Sequence, residues 1–410
     1  MFINFNFMKK SKIIAALLIS IITLGISEFT AEAKKKEEKA KYIFLFIGDG
    51  MGCTHVSAAE SYLSYKEGNL GGAMLTMTQF PYFGTAATYS ANRYVTDSSA
   101  AGTAIASGEK TNNGMLGVDP DGNPVKSFAY DLKEDGYQIG IISTVGINHA
   151  TPGSFYGHDY SRNSYYEISK QIPESGFEFF AGDGFIEFQG KSRTEEPVDA
   201  YIERNGYIVA YGIDEFRKEA EGKKYAVFCQ ESNRSESAGN YVSEGKTKED
   251  ATLSQMLELG MEFLDEDEPF FFMCEGGKID WTAHDHRTMP MVMDILEMDA
   301  AIATAYEFYK KYPKETLIVV TADHETGGLT LGCGPDMINW KRLEDHWISE
   351  GKKNTLPKEE NEKMNRECSI GWTTGGHTGG AVPVFAVGKG AEKFMGRMDN
   401  TDIKGKILGE

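Results

Sequence analysis

The sequence predicts an α/β protein with a large central, mostly parallel β-sheet and helices on both faces. Apolar runs rich in Ile, Val and Phe at Tyr42–Ile47, Gln138–Ser143, Pro269–Met273, Leu317–Thr321 and Pro383–Val387 read as strands buried on both faces. Between them lie stretches whose apolar residues recur at helical spacing, such as Thr252–Leu264 and Met291–Tyr309. Strands alternating with helices imply parallel strands joined by helical crossovers. A third observation concerns polar residues. Asp49, Glu275, Asp280 with His284, and Asp323-His324 follow strand-like runs, and His377 precedes the last one. Ligand sites in open α/β sheets gather beyond the carboxyl ends of the strands, so these side chains converge on one edge.

Taken in order, Lys9, Lys10 and Lys12, the apolar stretch Ile13–Leu24 and the A-x-A site Ala31-Glu32-Ala33 read as a secretory signal over residues 1–33. An uncleaved anchor is the alternative, but the apolar stretch is short for a membrane span. The expectation is an exported protein, periplasmic or secreted, with no membrane contact after cleavage. About 375 residues then remain, enough for one large domain, taken as 34–410. Lys34–Lys41 is a charged lead-in to the first strand, and Gly48-Asp49-Gly50-Met51-Gly52 turns the chain into a helix. Residues near 187–248 are rich in charge and Gly and read as a peripheral elaboration. A second insertion near 339–372 carries Trp340, Trp347 and Trp372. Either it covers the site mouth or an oligomer face, or its Trp residues anchor an ordinary surface excursion.

The formal net charge is −19, and losing three Lys and two Glu with residues 1–33 makes it −20. Such a surface repels nucleic acid and anionic membrane. A phosphate substrate remains admissible, because bound cations invert the field inside a site. Cys53, Cys229, Cys274, Cys333 and Cys368 form no C-x-x-C pattern. Cys274 falls in a strand run and reads as a core residue; Cys333 with Cys368 is the candidate disulfide.

Four carboxylates and three imidazoles at one sheet edge repel one another unless cations lie between them, which points to a multi-metal site. Asp280 and His284, at i and i+4, share one face of a helical turn and can grip one ion. His286, two positions further, faces away and reads as a surface histidine. Asp323-His324 and the His377 of Gly375-Gly376-His377-Thr378-Gly379-Gly380 can supply ligands from turns, or serve merely as caps and polar turn residues. In Thr96-Asp97-Ser98-Ser99-Ala100-Ala101-Gly102-Thr103-Ala104, hydroxyls stand at the start of a small-residue helix, a place that attracts anions. Asp97 or Ser98 could simply cap that helix. With metal nearby, a serine nucleophile needs no histidine base.

Gly48-Asp49-Gly50-Met51-Gly52, Thr96-Asp97-Ser98-Ser99-Ala100, His149-Ala150-Thr151-Pro152, Ser161-Arg162, Glu275-Gly276-Gly277-Lys278-Ile279-Asp280 with His284, Ala322-Asp323-His324-Glu325-Thr326-Gly327-Gly328 and Gly376-His377-Thr378-Gly379 stand in the order and approximate spacing of alkaline phosphatases. The chain resembles that family over Lys41–Gly388. The resemblance implies a phosphomonoesterase acting on small phosphate monoesters, with two Zn2+ and one Mg2+, and a homodimer. By matching position, one zinc falls to Asp280, His284 and His377, the other to Asp49, Asp323 and His324 beside the nucleophile Ser98. Asp49, Thr151 and Glu275 fall to magnesium, and Arg162 to the phosphoryl oxygens.

One departure follows from the resemblance. Some family members carry Asp at the position of His149 and Lys at that of Trp281, whereas this chain looks like the branch with His and Trp. Replacing a carboxylate by an imidazole removes negative charge near the third metal and is expected to weaken magnesium there. The rival readings are a phosphodiesterase or sulfatase of the same superfamily and a non-catalytic binder of metal or phosphate. The sulfatase motif Cys/Ser-x-Pro-x-Arg is absent at Ser98, Arg162 with Thr151 and Glu275 suits a doubly charged terminal phosphoryl group, and an intact Ser98 argues for turnover.

Overall fold

The computed structural model describes residues 39–234, 250–334, 337–351 and 356–410. The signal-like segment and part of each insertion lie outside them. Within the unit Lys39–Leu408, the strands in chain order are β1 (Tyr42–Gly48), β2 (Tyr82–Ala87), β3 (Gln138–Ser143), β4 (Phe179–Gly182), β5 (Ile208–Tyr211), β6 (Ala226–Cys229) and β7 (Phe270–Gly276). They continue with β8 (Thr316–Thr321), β9 (Glu325–Thr326), β10 (Thr330–Leu331), β11 (Ile370–Gly371), β12 (His377–Thr378), β13 (Val382–Gly388) and β14 (Gly396–Asp399). Ten of these form one sheet in the order β14-β2-β13-β8-β1-β7-β3-β4-β6-β5. All its pairings are parallel except those that β13 makes with β8 and β2.

The sheet is the large, mostly parallel one expected, and each of the five apolar runs is a strand. Apart from Gln138 and Pro269 at their starts, the runs are buried throughout because helices cover the sheet. On one face Phe44, Phe270 and Phe272 pack with Phe308 of the long helix Thr288–Lys311. Each such ring taken out of water stabilises the fold by roughly 1.5–3 kcal/mol. The helix Leu253–Phe263 starts where Thr252 accepts the Gln255 N–H at 3.2 Å and Gln255 returns a carboxamide oxygen to the Thr252 N–H at 2.9 Å, a capping box.

The charge-rich stretch after Glu187 contributes more than surface loops. It supplies β5 and β6, which extend the sheet at one edge. The two small ladders, β12 with β9 and β10 with β11, are antiparallel. The first of them brings His377 beside the turn after β8.

All five cysteines are free thiols, so the candidate Cys333–Cys368 disulfide is absent. The Trp residues of the second insertion act largely as anchors. Trp340 is buried against Tyr62 and donates to the Ser61 hydroxyl at 2.9 Å, and Trp372 donates to the Thr288 hydroxyl at 3.1 Å.

Candidate active site

Strand register brings the site residues together. Ile47 pairs with Glu275 on one side and Thr321 on the other, and Ser143 of β3 also pairs with Glu275, so four neighbouring strands end at one level. Asp49 follows β1, Glu275 lies within the end of β7, and Asp323 stands two residues beyond β8. Because β13 is antiparallel, it begins where β8 ends, and His377 reaches the same edge from the opposite direction. Gly50, at φ +76°, makes the turn after β1, and a Cβ there would meet the Asp280 Cα at 2.9 Å.

The imidazoles share one arrangement. His284 Nδ1 donates to the Gly375 carbonyl at 2.7 Å and His377 Nδ1 to the Thr96 carbonyl at 2.8 Å, while His324 Nδ1 lies 3.2 Å from the Thr326 hydroxyl. With Nδ1 engaged, each ring turns Nε2 toward the carboxylates: His284 to Asp280 at 3.2 Å, His377 to Asp280 at 3.6 Å, and His324 to Asp323 at 3.2 Å and Asp49 at 3.4 Å. Fixing the outer nitrogen in this way is how a protein orients an imidazole for a metal. The His324 and His377 rings stack with centroids 3.6 Å apart, so the two groups of ligands touch.

Ligand atoms of Asp280, His284 and His377 lie within 4.8 Å of one another, as do those of Asp49, His149 and Glu275 and those of Asp49, Asp280 and His324. Asp280 thus stands between the two histidine groups instead of belonging only to one. Both Asp49 oxygens, Asp323 Oδ2, Glu275 Oε1 and His149 Nδ1 are buried without a well-aligned hydrogen bond. Buried polar groups are ordinarily paired, so this concentration of free acceptors fits cations.

The electrostatics agree. Burial, and then the charges of Asp323, Asp280 and Glu275, push the Asp49 carboxyl far above the usual range. Burial likewise lifts Asp323 to about 8 and Glu275 to about 7. Burial would also raise Asp280, but hydrogen bonding from His284 and the charges of the three histidines outweigh it and hold that carboxyl below the usual range. Its hydrogen bond to Asp280 in turn raises His284. Burial, aided by Arg162, drops His149 to about 3, so a neutral ring faces the carboxylates.

Ser98 opens the helix Ser98–Ser107, which is capped by Asp97: its carboxylate accepts the Ala100 N–H at 3.0 Å. The cap is Asp97, and Ser98 is left with its Oγ 3.2 Å from His324 Nε2. Asp97 also accepts from Arg162 Nη1 at 3.3 Å, and Arg162 Nη2 lies 3.5 Å from His149 Nε2. Trp281 stands edge-on to His149 with centroids 5.8 Å apart.

Several contributors escaped the sequence reading. Thr326 donates to Asp280 at 2.5 Å and meets His324, Ser143 donates to Glu275, and Asp97 holds Arg162. Two of these lie close in sequence to predicted site residues, Thr326 two residues after His324 and Asp97 next to Ser98. His286 is a correction: it is buried at 3% exposure, not on the surface, because the segment Lys358–Thr374 folds over it.

A sheet edge so loaded with buried carboxylate fits cations, and with the mostly parallel ten-stranded sheet it defines an α/β protein with a candidate metal centre at the strand ends. Residues 40–184 and 236–408 match the sequence model of the family described as Alkaline phosphatase. Alkaline phosphatase 4 and alkaline phosphatase 3 of Bacillus subtilis (strain 168) are 29% and 30% identical, covering 96% and 97% of this chain and 95% of each relative. The solved alkaline phosphatase of the Antarctic bacterium TAB5 is 31% identical, with a TM-score of 0.73 over 90% of this chain and 98% of that one. The cold-active enzyme from Shewanella sp. is 25% identical, with a TM-score of 0.75 over 89% and 98%. The chain belongs to the alkaline phosphatase family and is a phosphoric monoester hydrolase.

Proposed function

We propose that this chain hydrolyses phosphate monoesters through a phosphoserine on Ser98, with two Zn2+ and one Mg2+ as cofactors. Asp280, His284 and His377 hold one zinc, Asp49, Asp323 and His324 the other, and Asp49, Thr151 and Glu275 the magnesium. The observation that carries this reading is the set of buried oxygens without a hydrogen-bond donor on Asp49, Asp323 and Glu275, in the cluster whose His324 Nε2 lies 3.2 Å from the Ser98 hydroxyl. When bound, the cations supply Lewis-acid charge that lowers the pKa of a hydroxyl or water and offsets charge developing on the phosphoryl and leaving oxygens.

The chain's own groups do the rest. Arg162 forks onto two phosphoryl oxygens, held in place by Asp97 and by the neutral His149. Ser98 Oγ attacks phosphorus in line, its proton is lost to solvent, and the alcohol oxygen departs on the opposite side. Water then attacks phosphorus from the side the alcohol left, releasing inorganic phosphate and restoring Ser98. Variants of the TAB5 enzyme with Glu or Asp in place of a histidine were solved with Mg bound in the M3 site. A carboxylate at a histidine position of that relative is thus compatible with bound magnesium, in line with the expectation that a carboxylate in place of His149 would favour it here. We further propose export by way of residues 1–33 and a homodimer, on the sequence features and family resemblance given above. Among the described residues no helix is long and apolar enough to cross a membrane.

The test is rapid-quench phosphoenzyme formation from a chromogenic monoester, alongside metal analysis and diester turnover. A burst of acid-stable phosphoserine, present in the intact chain and absent from Ser98→Ala, is expected. A burst that survives Ser98→Ala, or diester turnover exceeding monoester turnover, overturns the reading.

A further inference from the structure

The geometry points to His286 as a positioning residue for the Asp280/His284/His377 group, an inference that rests on the zinc assignment proposed above. The helix Lys278–His284 ends in a Schellman turn: the His286 N–H bonds to the Ala283 carbonyl at 3.0 Å and the Arg287 N–H to the Thr282 carbonyl at 2.8 Å. His286 therefore occupies the left-handed position, at φ +56°, where glycine is the favoured residue. A histidine kept there against backbone preference has a use for its ring.

That ring is buried and gripped on all sides. It stacks on Trp372 with centroids 5.3 Å apart and planes within 8°, its Nε2 donates to the Thr374 carbonyl at 2.8 Å, and its Nδ1 lies 3.0 Å from the Glu362 carboxylate. Asn365 donates to the His286 carbonyl at 2.8 Å and accepts from Thr288, which in turn accepts from Trp372. His284 donates to the Gly375 carbonyl. Two histidines two residues apart thus grip two successive carbonyls, those of Thr374 and Gly375, and His377 follows two residues later. The grip sets both the orientation of His284 and the approach of His377. Lys358 completes it: its ammonium donates to the His284 carbonyl at 2.7 Å, through space that a Cβ on Gly375 would fill, since that Cβ would sit 2.0 Å from Lys358 Nζ. The second insertion is, on this account, the outer support of one zinc site.

Zinc retention measured against a graded series of chelator tests this without recourse to activity. His286→Gly relaxes the turn and removes the ring, whereas His286→Gln keeps a donor of similar reach on the strained backbone. The expected order of retention for one zinc is wild type, then Gln, then Gly, with Gly losing it at about 10- to 100-fold lower chelator. The second zinc should be retained as in the wild type. If His286 served only the turn, Gly would hold both zincs as well as wild type or better, and Gln would be no improvement on it; that result overturns the inference. Should the Gly variant not fold, Trp372→Leu removes the stacking partner and leaves the turn, and is read the same way. A wild-type protein that binds no zinc, or whose His377→Ala variant loses none, overturns the zinc assignment itself, and the role of His286 falls with it.

Discussion

The two histidine groups of the site are built by different means. Asp49, Asp323 and His324 are wholly buried and hang from the ends of β1 and β8, adjacent central strands whose register alone fixes their spacing. His284 and His377 are partly exposed, with side chains 35% and 15% accessible, and come from a short helix and a two-residue ladder. The inner group inherits the rigidity of the sheet. The outer group depends on hydrogen bonds to Gly375 and Thr96 that link segments far apart in the chain. The inner site should therefore be all-or-none, while the outer one can be weakened in steps.

The largest effect expected is at the boundary between the groups. Ser98→Ala should lower turnover by on the order of 10³-fold or more, as loss of a nucleophile does, while Ser99→Ala keeps most activity. Steady-state turnover of both variants decides it; a dead Ser99 variant with an active Ser98 variant would mean that the nucleophile is misassigned.

Next comes the contrast itself. Asp323→Asn should strip more than one cation, since it disturbs His324 and the shared Asp49, whereas His284→Ala or His377→Ala should cost only the outer zinc. Metal stoichiometry of the purified variants reads this directly, and equal losses from all three would erase the distinction. His149→Asp, which adds a carboxylate beside the inner group, should tighten magnesium by roughly tenfold, about 1.4 kcal/mol. Magnesium titration of dialysed protein gives the half-saturation values, and unchanged or weaker binding in the variant counts against the electrostatic account.

The smallest effect is on stability. In the metal-stripped fold, Asp323 and Glu275 release their protons only near pH 8 and 7, whereas in the unfolded chain such groups titrate at about 4. The folded-state pKa is the higher, so the stripped fold binds more protons than the unfolded chain between those limits. Its stability is complete below about pH 4 as far as these groups go and is lost as pH rises toward 8. Bound cations replace those protons. The gap in Tm between loaded and chelated protein should widen by several degrees from pH 5 to pH 8. Parallel curves would show that the buried carboxyls carry no such penalty.

The sequence by itself determined the sheet. Runs such as Phe270–Met273 are too uniformly apolar to be anything but strands covered on both faces, and the polar residues that break those runs mark the ends where a site can open. It also determined where the candidate ligands gather, because Asp49, Glu275 and Asp323 are bound to their strands by a residue or two and have little freedom to be elsewhere. What it left open were contacts between segments with no shared periodicity. Asp97 reaches Arg162 across 65 residues, Thr326 reaches Asp280 across 46, and Asn365 reaches His286 across 79. His286 looked like a surface residue because, two positions beyond His284, it faces away from the Asp280/His284 pair, and only the return of Lys358–Thr374 buries it. The free state of Cys333 and Cys368, and the place of β5 and β6 at the sheet edge, were decided in the same way. Local pattern reports how much of a segment must be hidden from water; which distant segment hides it is settled only when the whole chain packs.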